Sequence, residues 1–158
     1  GQELADGAGY SSIVPTEVDG VRQYVQQTMK SAVGVRAADG KLLWKGGGIA
    51  RSTAVIPTPV VADNQAFFTS GYGAGCELFD LKPDGKGGTA ATPVYTKNKV
   101  VANHHGGVIR VGDYIYGHSD SQGWVCFDYK KGPDEPVWSE KKPGKGSITY
   151  ADGHLYLY

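Results

Sequence analysis

One phrase recurs along this chain at intervals that leave few folds open to it. It is an extended apolar run, then a turn around Asp, Gly or Asn, then an aromatic-rich run. The copies are Ile13–Val25 with Asp19-Gly20 at the turn, Pro57–Phe68 with Asp63-Asn64, Gly107–Tyr116 with Gly112-Asp113, and Ser147–Tyr158 with Asp152-Gly153. With Gly20, Asn64, Asp113 and Gly153 taken as equivalent, the spacings are 44, 49 and 40 residues. A second phrase alternates with the first. It is most complete in Val33-Gly-Val-Arg-Ala-Ala-Asp-Gly-Lys-Leu-Leu-Trp44, which reads as strand, turn, strand. Val35 and Ala37 before the turn, and Leu42 and Trp44 after it, fall at period two, so each arm can present one apolar face. Asp39-Gly40 supplies the positive φ angles of a two-residue hairpin turn. Glu77-Leu-Phe-Asp80 leads in the same way to Pro93-Val-Tyr95, and Val125-Cys-Phe-Asp128 to Pro136-Val-Trp138.

Repeats of about 40 to 50 residues, each able to form four short strands, predict an all-β fold of β-propeller blades. Each blade is a four-stranded antiparallel sheet. Residues 1–9 are small and polar and are expected to form an extended arm. Residues 10–158 hold the repeats, at about 10–50, 51–100, 101–145 and an incomplete 146–158. Val21–Val33 is the ambiguous segment, because Val21, Tyr24, Val25 and Met29 could form a helical stripe. The match of Asp19-Gly20 to the other turns favours a strand. About three and a half blades cannot close a ring at ordinary inter-blade angles, and an open arc would expose blade faces. The chain is therefore expected to be a fragment of a larger, seven- or eight-bladed ring, or to complete a ring with copies of itself. Its start at Gly1 rather than Met points the same way.

Composition narrows the partners. Twenty-four glycines and ten tyrosines against one methionine suit strands and turns. Sixteen basic and sixteen acidic residues cancel, which argues against nucleic acid or an anionic membrane as main partner. No apolar run approaches the ~20 residues of a membrane helix, and no signal peptide is present. The basic run Lys141–Lys145 contains Pro143 and Gly144 and reads as a solvated loop. Cys76 and Cys126 fall on corresponding strands of successive repeats. Those strands are expected to lie beyond the ~6 Å Cα separation of a disulfide, so both read as small buried hydrophobes.

The phrase Ala38-Asp-Gly-Lys-Leu-Leu-Trp44 resembles the repeat of PQQ-like β-propellers, and Thr58-Pro-Val-Val-Ala-Asp63 resembles that family's innermost strand. The resemblance covers roughly Tyr10 to Tyr158. The family includes quinoprotein alcohol dehydrogenases and the BamB-type lipoproteins that assist outer-membrane protein assembly. It implies a periplasmic or secreted bacterial protein. The departures are also informative. The dehydrogenases hold PQQ with an adjacent cysteine pair, a calcium-binding acidic set and a catalytic aspartate. No Cys-Cys and no such acidic cluster is legible here. The expected function is accordingly a binding scaffold without cofactor, for a protein, glycan or small-molecule ligand. The alternative is part of a PQQ- and calcium-dependent dehydrogenase.

Candidate site residues gather in Val101-Ala-Asn-His-His-Gly-Gly107 and His118-Ser-Asp120. Asn103, His104, His105 and His118 precede or follow an innermost strand, where a propeller brings loops to its channel mouth. They could line a ligand pocket, or ligate zinc, copper or iron. Against this, adjacent side chains on an extended backbone point to opposite sides, which would leave the two histidines bonded to loop carbonyls instead. Arg51, at the crossing into the second blade, could hold an anion or pair with a neighbouring acid. Gly71-Tyr-Gly-Ala-Gly75 has the glycines of a phosphate loop, but Cys76–Leu81 alternates like a strand where such a loop needs a helix. No catalytic residue is assigned: no Gly-x-Ser-x-Gly elbow occurs, and no carboxylate pair suits acid–base work.

Overall fold

The computed structural model describes residues 4–49 and 53–158. Fourteen strands form, and no helix among the described residues. Four strands make the first sheet: β1 (Val14–Val18), β2 (Val21–Gln27), β3 (Ala32–Arg36) and β4 (Leu42–Gly46). The second holds β5 (Val60–Ala62), β6 (Gln65–Ser70), β7 (Gly75–Pro83) and β8 (Thr89–Asn98). The third holds β9 (Val108–Val111), β10 (Tyr114–Ser119), β11 (Gly123–Asp128) and β12 (Trp138–Glu140). A two-stranded sheet follows, β13 (Ile148–Ala151) and β14 (His154–Leu157). Every sheet is antiparallel with strands in chain order. This is the blade pattern, and it places Val21–Gln27 in a strand, as the repeat register requires.

The first-to-second strand turns are two-residue hairpins in all four sheets. Val18 pairs with Val21, Ala62 with Gln65, Val111 with Tyr114 and Ala151 with His154. Both turn residues have positive φ in three of them: Asp19 and Gly20, Asp63 and Asn64, Asp152 and Gly153. The right-handed twist of the strands selects such turns. The Asp39-Gly40 turn differs from expectation. Val35 pairs with Leu42 across a register shift at Gly34/Val35, so the connection is longer than two residues, and only Gly40 has positive φ. The amide of Gly40 donates to the Arg36 carbonyl at 3.0 Å and the Asp39 carboxylate receives the amide of Lys41, which closes the loop by side-chain chemistry instead.

The core lies between sheets. Strand alternation sends neighbouring side chains to opposite faces, and the second sheet uses both. Phe68, Phe79 and Leu81 pack with Val18, Val25 and Trp44 of the first sheet. Phe67, Cys76 and Leu78 pack with Ile115, Val125, Phe127 and Tyr129 of the third. The third sheet meets the β13–β14 hairpin across a cleft of about 220 Å³ lined by Tyr116, Trp124, Trp138, Ile148, Leu155 and Leu157. Trp44 anchors the first interface, stacked on Phe79 with centroids 6.5 Å apart. Its indole N–H donates to Gln23 Oε1 at 2.8 Å, and Gln23 Nε2 donates to Thr89 Oγ1 of the second sheet at 3.1 Å. A side chain at Gly34 would strike the Trp44 ring, so the register shift lies beside the spot where the indole crosses the sheet.

The N-terminal arm is docked. Asp6 receives the Thr28 hydroxyl at 2.9 Å, the Ser31 hydroxyl, and the Lys45 ammonium at 3.2 Å. Those bonds, that of Ser31 foremost, hold its carboxyl below the usual range. Cys76 and Cys126 are buried free thiols. Burial pushes Cys76 up to about 12, so it is no thiolate nucleophile at neutral pH.

Candidate functional site

The up-and-down strand order gives the sheets two rims. Turns from first to second and from third to fourth strand lie on one, here the turn rim. Loops from second to third strand, and the crossings between sheets, lie on the other, the crossover rim. Asn103, His104, His105 and His118 all reach the crossover rim, and the structure brings three sheets together around them.

Asn103 is fully buried and positions backbone. Its amide donates to Thr69 Oγ1 at 3.1 Å, and its Nδ2 donates to the His118 carbonyl at 2.9 Å. This ties the crossing before β9 to the inner ends of β6 and β10. Its Oδ1 has no partner. His118 is 8 % exposed and lies edge-on to Trp124 with centroids 5.5 Å apart. Its Nδ1 is buried without a partner. Burial first, then the Lys145 ammonium, depresses its proton affinity, with Asp120 opposing.

His104 is half-buried and His105 exposed. Their ring centroids are 5.3 Å apart, so the rings do not diverge to opposite sides as an extended backbone would dictate. The positive φ values at Gly106 and Gly107 bend the chain there. His104 also faces Tyr72, centroids 4.4 Å apart. Lys145 Nζ lies 3.2 Å from His104 Nδ1 and 2.7 Å from Asp120 Oδ1. An ammonium only donates, so Nδ1 is the acceptor and the His104 proton sits on Nε2. Arg51 lies outside the described residues.

Sequence reasoning missed Tyr72 and Lys145. Tyr72 belongs to the glycine-rich loop whose glycines resembled a phosphate cradle. The loop instead makes a tight bend into β7, with Tyr72 at φ +56°. A non-glycine residue in that region is strained, and it is held there by its amide, which donates to Asp120 Oδ2 at 2.7 Å. The ring is left 58 % exposed. Lys145 sits in the run read as solvated loop, and only the fold shows that the crossing to β13 returns it to Asp120. The available signal was His118-Ser-Asp120, where an acid follows the strand carrying a histidine. Burial raises the Asp120 carboxyl, but Lys145 and the Tyr72 amide outweigh it and hold the group ionised.

Among the described residues no three His, Cys, Asp or Glu side chains converge to hold an ion. Nor do those residues fit PQQ with calcium, because Cys76 and Cys126 lie singly on the third strands of separate sheets and no acidic set accompanies them. No helix among the described residues is long and apolar enough to cross a membrane.

Comparison with the curated proteins gives no match. Comparison with protein families gives one that spans residues 2–140, described as outer membrane protein assembly factor BamB. With most of the chain matched, and blades repeating in the register its turns require, the protein belongs to this BamB-type, PQQ-like repeat family.

Proposed function

We propose that this protein is a non-catalytic binding scaffold of the bacterial envelope, periplasmic or secreted, and that its crossover rim holds a segment of a protein partner. One observation carries the reading. Tyr72 is kept at an unfavourable φ by a hydrogen bond to Asp120, and the result is an exposed aromatic ring beside His104 rather than a buried one. Strain that persists in order to expose an apolar side chain is typical of a contact surface. Three consecutive sheets supply the rim, so its shape follows from the rigid stack beneath it and needs little ordering on binding. Family membership supports an envelope location and a protein partner. The reading includes no cofactor and no reaction.

The test is a photoreactive residue introduced at position 72 and, separately, at position 19 on the turn rim. Crosslinking in cells should yield one discrete envelope protein from position 72 and not from position 19. Equal labelling from both rims would overturn the reading. So would dye-linked alcohol oxidation appearing when PQQ and calcium are added to the purified protein, which is the outcome expected of a dehydrogenase.

A further inference from the structure

The two rims differ in charge although the chain is neutral. The turn rim carries Asp19, Asp39, Asp63, Asp84, Asp113 and Asp152. Many of its cations are spent on neighbours: Arg36 on Asp39, Arg110 on Asp63, Lys130 on Asp63 and Asp113, Lys131 on Asp128. The crossover rim around blades two to four carries Lys97, Lys99, Lys141, Lys142 and Lys145 with His104, His105 and His118, against the carboxylates of Asp120 and of Glu140 at the end of β12. Among the described residues only Lys145 of those lysines forms an ion pair. Asp120 is the one carboxylate at the centre, and both its oxygens are engaged, by Lys145 and by the Tyr72 amide. The donors left at the centre are the third N–H of Lys145 and Nε2–H of His104, and the exposed ring of His105 adds one donor and one acceptor nitrogen when neutral.

We propose that this rim recognises the carboxylates of an acidic peptide segment, with Lys145 and His104 as the central donors and the exposed Tyr72 ring receiving an apolar side chain next to the acid. The proposal rests on the scaffold reading above and names the chemistry of its partner. The spare N–H of Lys145, with lysines around it that form no ion pair among the described residues, favours an incoming carboxylate, which shares Lys145 with Asp120. The arrangement also couples binding to protons. In the unliganded protein His104 Nδ1 accepts from Lys145, which a protonated ring cannot do. A carboxylate placed between them takes over the Lys145 bond and favours imidazolium at His104. Binding takes up a proton and strengthens as pH falls through the imidazole range, about pH 8 to 6. The charged and titratable groups facing His104 are Lys145 from the β12–β13 crossing, Asp120 from the β10–β11 loop, Tyr72 from the β6–β7 loop, and His105 and His118 beside it. Lys99 donates to the Gly73 and Ala74 carbonyls at the base of the Tyr72 loop.

The test uses a fluorescein-labelled glutamate-rich peptide with one central tyrosine, followed by anisotropy on the purified protein at about pH 6 and about pH 8. Affinity should be about five- to tenfold higher at the lower pH and should fall with added salt. Calorimetry in two buffers of different ionisation enthalpy should show proton uptake. His104→Gln should abolish the pH dependence, Lys145→Gln should weaken binding at both pH values, and Lys41→Gln on the turn rim should change neither. Equal binding of the glutamine analogue would overturn the proposal, as would pH-independent affinity, or complete displacement by inorganic phosphate, which marks a small-oxyanion site. If the peptide fails while position 72 still crosslinks to one envelope protein, the scaffold reading stands and the acidic-peptide chemistry falls.

Discussion

Trp44→Phe tests how the first two blades are joined. The indole N–H donates to Gln23 Oε1 and Gln23 donates onward to Thr89 Oγ1, so the chain of bonds crosses from the first sheet to the second inside their shared core. Gln23 and Thr89 are both fully buried and Trp44 is nearly so. Phenylalanine keeps a ring against Phe79 but leaves Gln23 Oε1 with no donor and no water. An orphaned buried acceptor costs about 1–3 kcal/mol. The smaller ring gives up roughly another 1 kcal/mol of buried apolar area. The expected loss is about 2–4 kcal/mol, a large share of the ~5–15 kcal/mol that holds a domain together. Urea unfolding followed by far-ultraviolet circular dichroism reads it as a lower midpoint with an unchanged slope. Gln23→Leu alone should also destabilise, because it orphans the indole N–H and the Thr89 hydroxyl together. The double variant removes donor and acceptor at once, so it should cost less than the two single losses summed, by about 1–3 kcal/mol. Additive losses would refute the reasoning, since they would mean that the indole and the amide stabilise the interface separately.

Gly34→Ala should cost about 2–4 kcal/mol, because the added methyl strikes the indole and approaches Gln23 Oε1; in the Trp44→Phe background the penalty should shrink, which a denaturation series checks. Glu77 is buried, with Gly48 N–H at 2.9 Å on Oε2 and no partner on Oε1. Burial, only partly offset by that bond and by Lys97, raises its carboxyl above the usual glutamate range. The folded state therefore holds the proton more tightly than the unfolded chain, so this group's contribution to stability falls as pH rises from about 4.5 through the raised value. Whatever constant offset the amide brings, the stability of Glu77→Gln relative to the parent should improve between about pH 4.5 and pH 7.5, and a flat difference contradicts the assignment. Imidazole titration by NMR should place His118 below an ordinary histidine, and Lys145→Gln should move it upward; no movement would mean that the ammonium does not reach the ring.

The fold was legible because its instructions are local and repeated. Asp19-Gly20, Asp63-Asn64 and Asp152-Gly153 announce two-residue turns whatever surrounds them, and alternation on either side assigns faces. Phe67 and Phe68 illustrate this well. Adjacent aromatics have no single amphipathic reading, yet in a blade buried on both sides each supplies a different inter-sheet core. Asp39-Gly40 misled because a side chain can close a turn in more than one way. There Asp39 caps the loop through the Lys41 amide, and the register shift at Gly34 takes up the extra length.

The rim was only half legible, for a related reason. Asn103, His104, His105 and His118 are near one another in the chain, so their convergence could be suspected from spacing. Tyr72 and Lys145 come from loops 32 residues before and 41 residues after His104, and nothing local marks either. Their meeting follows from topology: a crossing into one blade must pass the second-to-third strand loops of the blades beside it. Tyr72 is the clearest case. Nothing within Gly71–Gly75 explains its strain, since Gly73 and Gly75 take positive φ there at little cost while Tyr72 does so as a non-glycine residue. It is explained only by the Asp120 carboxylate on the next blade, which receives the Tyr72 amide and at the same time fixes Lys145. One acid thus orients an aromatic from the blade before it and a cation from the crossing after it. Asp120→Asn should release both, with Tyr72 gaining mobility and His104 losing its Lys145 contact, while the inter-sheet cores and the unfolding midpoint change little. A large fall in the midpoint would show that Asp120 supports the stack rather than the surface, and would remove the basis for treating Tyr72 as deliberately exposed.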